Sequence, residues 1–509
     1  MKLHQVTILI FVGSVARMQA DLFASTENLQ HVLLLERQMA GVLDGVLKTM
    51  ELKLDYLRNY LKEYYRLSHE IANTKNQDDY SEFIENPLHV FHMIKRLAVE
   101  WSGIRQMMLE NDWDRVEEII HSEEDLLPRD EDLQGAALAL VRLQYTYNLN
   151  TTDMAQGRLS GINSISGLTA RDCLYLGKHA FNNGYYGHAI EWLEEAISRA
   201  NLERNQTVSV EEITLFLDIA IRVHDDVLEG SYFNNHAYET LGHLVRDTGD
   251  TKRLRRNLST ERKLRRTDTS FFDYENYVAL CRGERLRTAR EEVHLRCRYT
   301  SRGHPYLILQ PVKVEEQSLD PYIVQFYDLM TSREADTIQE IATPMLTRSR
   351  VQGQKNLEDE VSTVRTSKTA WLKPEDHPIV DRINRRVQYV TGLSTDVQNY
   401  HCETVQTTNY GVGGHYEPHY DFLYIGKTEE QLTDVTRGGA TVFPKVGAGV
   451  WPLKGSAVFW YNLKKNGTED NLTLHGACPV LHGRKWVANY WIREKGQMLR
   501  RPCSLNQEE

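Results

Sequence analysis

The chain has 509 residues, too many for one hydrophobic core, and about three domains are expected. Its 41% hydrophobic and 26% charged residues describe an ordinary soluble globular protein. A net charge of −11 argues against a nucleic-acid or membrane-surface role for the chain as a whole.

Lys2 precedes the apolar run Val6 to Ala16, and small residues stand at Ala16 and Ala20. This is the pattern of a signal peptide over residues 1–20, with cleavage after Ala20 favoured over Ala16. No later apolar run is long enough for a membrane span, so the mature chain is expected to be soluble in the secretory pathway. Sequons at Asn150, Asn205, Asn257, Asn466 and Asn471 are usable in that compartment. An oxidising lumen also permits pairing among Cys173, Cys281, Cys297, Cys402, Cys478 and Cys503. Proximity in sequence favours the bridges Cys281/Cys297 and Cys478/Cys503. No C-x-x-C is present, which leaves little support for a zinc site or a thiol oxidoreductase. The ending Asn506-Gln507-Glu508-Glu509 is not a retention signal, so residence in the endoplasmic reticulum would need a retained partner.

Residues 21–133 read as helical. Leu35, Met39, Leu43, Val46, Met50, Leu54, Leu57, Leu61 and Tyr64 recur by threes and fours, with an extra four at Met50–Leu54. That is a coiled-coil-like seam with a stutter, suited to self-association; the alternative is a helix packed inside its own domain. Residues 134–250 are again helical, in shorter pieces. Leu176-Gly177, Tyr185-Tyr186, Ala189 and Ala196 are spaced like the helix pair of a tetratricopeptide-type repeat. Tyr175, Tyr185 and Tyr186 would line a concave face for a proline-rich peptide, or else fill gaps between helices. Residues 251–311 form a linker that is strongly basic at 251–267 and then carries the Cys281/Cys297 loop. A solvated stretch, not nucleic-acid contact, is expected there.

From 312 to 509 the texture changes to short strands with glycine-rich turns, expected to form an antiparallel jelly roll. After the turn Gly411–Gly414, His419 and Asp421 stand two positions apart and so leave one face of a strand. With His475 they would complete the two-histidine, one-carboxylate set that holds non-haem Fe(II). Lys485, in the apolar strand Lys485-Trp486-Val487, needs an anion if it points inward, and the carboxylate of a small dicarboxylic acid would serve. The alternative is a lysine that snorkels from an edge strand. His224-Asp225-Asp226 also matches His-x-Asp, but in a helical segment where such residues diverge; His415-Tyr416-Glu417 is a closer rival.

Several motifs carry a resemblance. Tyr410–Gly414, Tyr416–Phe422, Gly438–Pro444, Ala457–Leu463, His475–Val480, Gly483–Trp486 and Arg501–Cys503, with Leu143–Leu149 and Cys281–Glu284 upstream, make the chain similar to the collagen-type prolyl 4-hydroxylase α subunit. This is a 2-oxoglutarate/Fe(II) dioxygenase family, and the resemblance covers nearly the whole mature chain. It implies an all-α N-terminal dimerisation domain, an α-helical TPR-like peptide-binding domain and a C-terminal double-stranded β-helix with flanking helices. It implies Fe(II) on His419, Asp421 and His475, and the distal carboxylate of 2-oxoglutarate on Lys485. Tyr410, Thr441 and Trp491 match positions that shape the co-substrate pocket. L-ascorbate would restore iron oxidised in uncoupled cycles. Protein disulfide isomerase becomes the β subunit of an α2β2 heterotetramer in the endoplasmic reticulum lumen. The implied reaction takes peptidyl proline, O2 and 2-oxoglutarate to 4-hydroxyproline, succinate and CO2.

Two departures from the family qualify this. Between Asp421 and Gly438 the family carries a longer segment with an apolar strand; residues 423–437 here keep Asp434-Val435 but lack that run. Loss of a core strand would open a sheet edge and uncover the site, so the alternative is a catalytically impaired assembly or peptide-binding subunit. In the middle domain, tyrosines of the family are replaced near Phe216, Ile219 and Arg222, and Arg222 would weaken proline stacking.

Overall fold

A computed structural model describes residues 22–47, 54–72, 81–108, 120–123, 127–164, 166–228, 271–352, 359–360 and 365–504. The signal peptide, Asn257 and the basic stretch 251–267 lie outside them. Among the described residues no helix is long and apolar enough to cross a membrane.

The N-terminal half is helical. Its main helices are α1 (Thr26–Leu47), α2 (Leu54–Ala72), α3 (Pro87–Lys95), α4 (Asp130–Tyr147), α5 (Ala170–Asn182), α6 (Tyr186–Leu202), α7 (Val210–Leu228) and α8 (Phe271–Cys281). The expected seam is split between two helices that pack on each other. Leu35, Met39 and Leu43 of α1 and Leu57, Leu61 and Tyr64 of α2 are buried in one core with Trp101 and Leu140. The described part of the seam is thus buried in this chain's own core, as the alternative reading expected; Met50 and the side chains of Val46 and Leu54 lie outside the described residues. α3 starts in the ordinary way: Asn86 accepts from Leu88 N at 3.0 Å, with Pro87 in the first turn.

α4 runs through the expected boundary at 133/134 and packs on both α3 and α5, so one continuous core joins the first two regions. In α5 a capping box is closed by Thr169 and Asp172, the Thr169 N donating to Asp172 Oδ2 at 2.9 Å. α5 and α6 cross closely because Gly177 lacks a Cβ, which would sit 2.9 Å from Leu193 Cγ. Ala189 and Ala196 are buried at the same contact.

The C-terminal half contains two facing antiparallel sheets, as a jelly roll requires. Its strands are β1 (Cys297–Thr300), β2 (Val312–Leu319), β3 (Tyr322–Tyr327), β4 (Thr347–Arg348), β5 (Lys368–Leu372), β6 (Val405–Tyr410), β7 (Tyr416–His419), β8 (Gly426–Gln431), β9 (Arg437–Gly438), β10 (Thr441–Phe443), β11 (Ala448–Val450), β12 (Ala457–Tyr461), β13 (His475–Ala477), β14 (Val480–His482) and β15 (Lys485–Ile492). The large sheet has the order β1-β2-β3-β12-β8-β15-β6-β5-β4 and the small one β7-β13-β10-β11. β1 lies within the stretch expected to be linker, so the sheet begins before residue 312. Helix α9 (Pro378–Thr391) closes the outer face of the large sheet through Ile379, Val380, Ile383 and Val387.

The core strand expected to be missing is present. β8 pairs along its length with both β12 and β15, at the centre of the large sheet. Its sequence, Gly-Lys-Thr-Glu-Glu-Gln, is polar yet buried at every position. The alternative based on an open sheet edge is therefore corrected, because this segment, though polar, keeps ladder partners on both sides.

The cysteine pairing also differs from expectation. Cys281 at the end of α8 is bonded to Cys478 beside β13, with Cα atoms 5.5 Å apart. Cys297 and Cys503 are free and exposed, Cys173 and Cys402 free and buried. Neither Cys281/Cys297 nor Cys478/Cys503 forms; α8 docks against the small sheet, and that docking, not sequence proximity, sets the partner. Tyr277 of the same helix donates to Ala477 O at 3.0 Å.

Candidate metal centre and anion seat

The small sheet brings the two histidines together. His419 ends β7 and His475 opens β13, and they are cross-strand partners. Asp421 lies just beyond β7 and turns back to them. One ligand atom from each of the three residues falls within 4.8 Å of the others; among the described residues this is the group so arranged. His475 Nε2 is 3.1 Å from Asp421 Oδ2 and His419 Nε2 is 3.8 Å from Asp421 Oδ1.

The tautomers suit metal ligation. His419 Nδ1 donates to Glu417 O at 2.8 Å and His475 Nδ1 to Thr473 O at 3.0 Å. These bonds fix each ring so that its Nε2 faces the carboxylate, the usual way in which a metal-binding histidine is oriented. His419 Nε2 is buried with no hydrogen-bond partner. Burial, aided by His475, pushes the His419 imidazole down to about 3, which keeps it neutral. Burial alone would raise the Asp421 carboxyl; Lys427 and the two imidazoles outweigh it and hold the group well below the usual carboxylate range. Two imidazole nitrogens and a carboxylate within reach of one another form a donor set fit for a non-haem Fe(II) ion.

The rivals do not join this group. His224 lies in α7, with Nδ1 3.2 Å from its neighbour Asp225. His415 is buried before β7, and its carbonyl accepts from Thr366 N at 3.0 Å.

Beside the triad, the inner face of the large sheet presents Lys427 and Glu429 from β8 and Lys485 and Trp491 from β15, because alternate residues share a face. Lys485 is fully buried (0% exposed), so it does not snorkel. Its Nζ lies 3.4 Å from Thr441 Oγ1 and 3.7 Å from Glu429 Oε1, and 5.3 Å from the centre of the Tyr410 ring. Glu429 Oε1 also accepts from Thr441 Oγ1 at 2.6 Å and from Gln431 Nε2 at 2.9 Å. Although burial would raise it, Lys485 and Lys427 hold the Glu429 carboxyl down to about 2. Lys427 Nζ is 3.4 Å from Asp421 Oδ2 and stands 4.3 Å over the Trp491 ring. Tyr410, Thr441 and Lys485 thus lie together, while Trp491 stands by Lys427 further along β15 and does not join them; the two residues that sequence reasoning missed are Lys427 and Glu429. The run Lys-Thr-Glu-Glu-Gln is polar throughout and reads as surface, so no pattern in the sequence marked them.

Two glycines shape the approach to this pocket. Gly438 and Gly439 have φ of +78° and +69°, and a Cβ on Gly438 would lie 2.5 Å from Pro479 O. Thr441 is carried into the pocket directly after that turn.

In the helical half, Tyr185 is only 5% exposed and packs edge-on to Tyr145 at 5.6 Å, so it fills an inter-helix gap instead of lining a groove. Tyr175 and Tyr186 are half-buried. Tyr175 meets His179 at 4.4 Å and Tyr186 meets Phe181 at 5.3 Å. Arg222 is half-buried on α7, Ile219 is buried there, and Lys178 stands 3.8 Å over the Phe216 ring. Asn150, Asn205 and Asn471 are exposed and Asn466 is half-buried.

Comparison with known proteins agrees with this geometry. Residues 25–161 match the family described as prolyl 4-hydroxylase α-subunit, N-terminal region. Residues 170–265 match the prolyl 4-hydroxylase peptide-substrate-binding domain, and residues 405–493 the 2OG-Fe(II) oxygenase superfamily. The chain is 34% identical over 528 residues to prolyl 4-hydroxylase subunit alpha-1 of Gallus gallus, covering 96% of this chain and 100% of the relative. It is 34% identical over 522 residues to that subunit of Homo sapiens, covering 96% of each. Subunit alpha-2 of Caenorhabditis elegans is 35% identical over 521 residues, covering 96% of this chain and 94% of the relative.

Proposed function

The chain belongs to the prolyl 4-hydroxylase α-subunit family, and we propose that it hydroxylates C4 of peptidyl proline in collagen-like or proline-rich secretory proteins. Membership in the 2OG-Fe(II) oxygenase superfamily brings Fe(II), 2-oxoglutarate and O2 as the cofactor set. In the balanced reaction, 2-oxoglutarate loses CO2 to become succinate; one oxygen atom of O2 enters succinate and the other the proline hydroxyl.

The observation that carries the reading is the triad, with His475 buried, His419 and Asp421 half-buried, and both Nε2 atoms turned to one carboxylate. His419, Asp421 and His475 are the residues that would hold iron, which when bound supplies the oxidising power for the C–H bond. The chain's part is to bind and orient: Lys485 and Thr441 offer the seat for the distal carboxylate, Tyr410 walls it, and Trp491 would act further along β15, beside Lys427.

The finer assignments rest on family membership. α5, α6 and α7 would receive the peptide, with Tyr175 and Tyr186 as contact residues, and Arg222 would favour peptides other than plain polyproline. Protein disulfide isomerase as β subunit, an α2β2 assembly using faces of the N-terminal helices other than the buried seam, the endoplasmic reticulum lumen, L-ascorbate as reductant and glycans on the accessible sequons belong to the same reading. Residues 134–250 as a peptide-binding unit and 312–509 as the catalytic unit are its working division.

The test is peptide-dependent release of CO2 from 2-oxoglutarate by the full-length chain with Fe(II) and ascorbate. Turnover that disappears in His419→Ala is expected; an inactive wild type under those conditions contradicts the reading.

A further inference from the structure

The pocket contains one carboxylate more than an iron site needs. Glu429 is buried at 4% exposure and aims Oε1 at Lys485 and Thr441, the two groups placed to receive a carboxylate from outside. It accepts a hydrogen bond from Thr441 at 2.6 Å and lies in ion-pair range of the Lys485 ammonium at 3.7 Å. It reaches this position because β8 is polar: Lys427, Glu429 and Gln431 share the inner face, and Gln431 braces the carboxylate at 2.9 Å.

We propose that Glu429 is an internal occupant of the co-substrate's anion seat, so that a dicarboxylic 2-oxo acid gains Lys485 only by displacing it, and Glu429 thereby determines co-substrate affinity and choice. The inference rests on the dioxygenase reading above. Desolvation makes the exchange necessary: two carboxylates cannot share one buried ammonium without a second cation. That second cation is Lys427, two residues back on the same strand face, and Glu429 meets it on swinging away from Lys485. A 2-oxo acid that lacks a distal carboxylate uses only the chelating end of the pocket and leaves the Glu429–Lys485 pair in place.

The experiment measures binding, not turnover. Full-length chain loaded with Mn2+ in place of iron is titrated without O2, by calorimetry, with 2-oxoglutarate and with 2-oxobutyrate, which shares the chelating head but has no distal carboxylate. In the wild type the two affinities are expected within about fivefold of each other, because the distal carboxylate gains little. Glu429→Gln keeps the size and the acceptor for Thr441 but frees Lys485. It is expected to tighten 2-oxoglutarate by about tenfold and leave 2-oxobutyrate unchanged. A wild type that prefers 2-oxoglutarate by more than about fivefold overturns the proposal, as does a folded Glu429→Gln protein with unaltered preference. Should Glu429→Gln fail to fold, the wild-type comparison decides alone. Binding of neither acid to either protein overturns the dioxygenase reading and this inference with it.

Discussion

Lys485 is tolerated at 0% exposure because Glu429 and Thr441 meet its ammonium. Burial pulls its pKa down while Glu429 supports the charge. Lys485→Met removes one partner of a buried pair and strands the other. We expect it to cost about 3–5 kcal/mol in denaturant unfolding, with most of the loss recovered in Lys485→Met/Glu429→Gln. Equal stability of the wild type and the single variant would show that no buried pair exists. The lysine was legible in the sequence: a lone cation in Lys485-Trp486-Val487 must find an anion. Its partner was not, because Glu429 comes from another strand and sits in a run that reads as surface. The metal residues were legible for a simpler reason, since strand periodicity puts His419 and Asp421 together; only the ladder places His475 opposite.

At the scale of one element, β8 is an outlier: a central strand with polar residues on both faces. The inner face has a use, the outer less so. Glu430 points into the apolar layer with both carboxylate oxygens buried and unpartnered. Burial, ahead of the weaker opposing pull of Arg386, pushes its carboxyl up to about 8, against an ordinary value of 4.5. The folded protein therefore keeps a proton that the unfolded chain releases. This stability is fully present below 4.5 and is lost as pH climbs toward 8, with a slope of ~1.4 kcal/mol per pH unit. Glu430→Met should raise the melting temperature at pH 8 and flatten that slope; a slope unchanged by the substitution refutes the assignment. Such a strand is hard to read from sequence because neither alternation nor an apolar run marks it. Ladder partners on both sides, not local propensity, make it a strand.

For the molecule as a whole, polar and covalent links tie the helical half to the catalytic sheets. Asn409 of β6 accepts at Oδ1 from Ser25 Oγ at 2.9 Å and Thr26 N at 3.0 Å, fixing the start of α1. A covalent link is the Cys281–Cys478 bond, which spans a sequence separation of 197. Non-reducing peptide mapping should recover that cross-link, with Cys297 and Cys503 alkylated without reduction. Cys478→Ser should cost ~2–5 kcal/mol. A Cys478–Cys503 peptide would contradict this topology. The order of helical regions and jelly roll was legible from texture. The seam's use, the shared core and the disulfide were not, since all three depend on which distant segments meet.

The most direct measurement follows heavy-oxygen-labelled O2 through a single incubation of the full-length chain with Fe(II), 2-oxoglutarate and a proline-rich peptide. Mass spectrometry is expected to find one labelled atom in succinate and one in a new C4 hydroxyl of proline, in equal yield, and neither with His475→Ala. Hydroxyproline without labelled succinate, or no product from the wild type, would contradict the account.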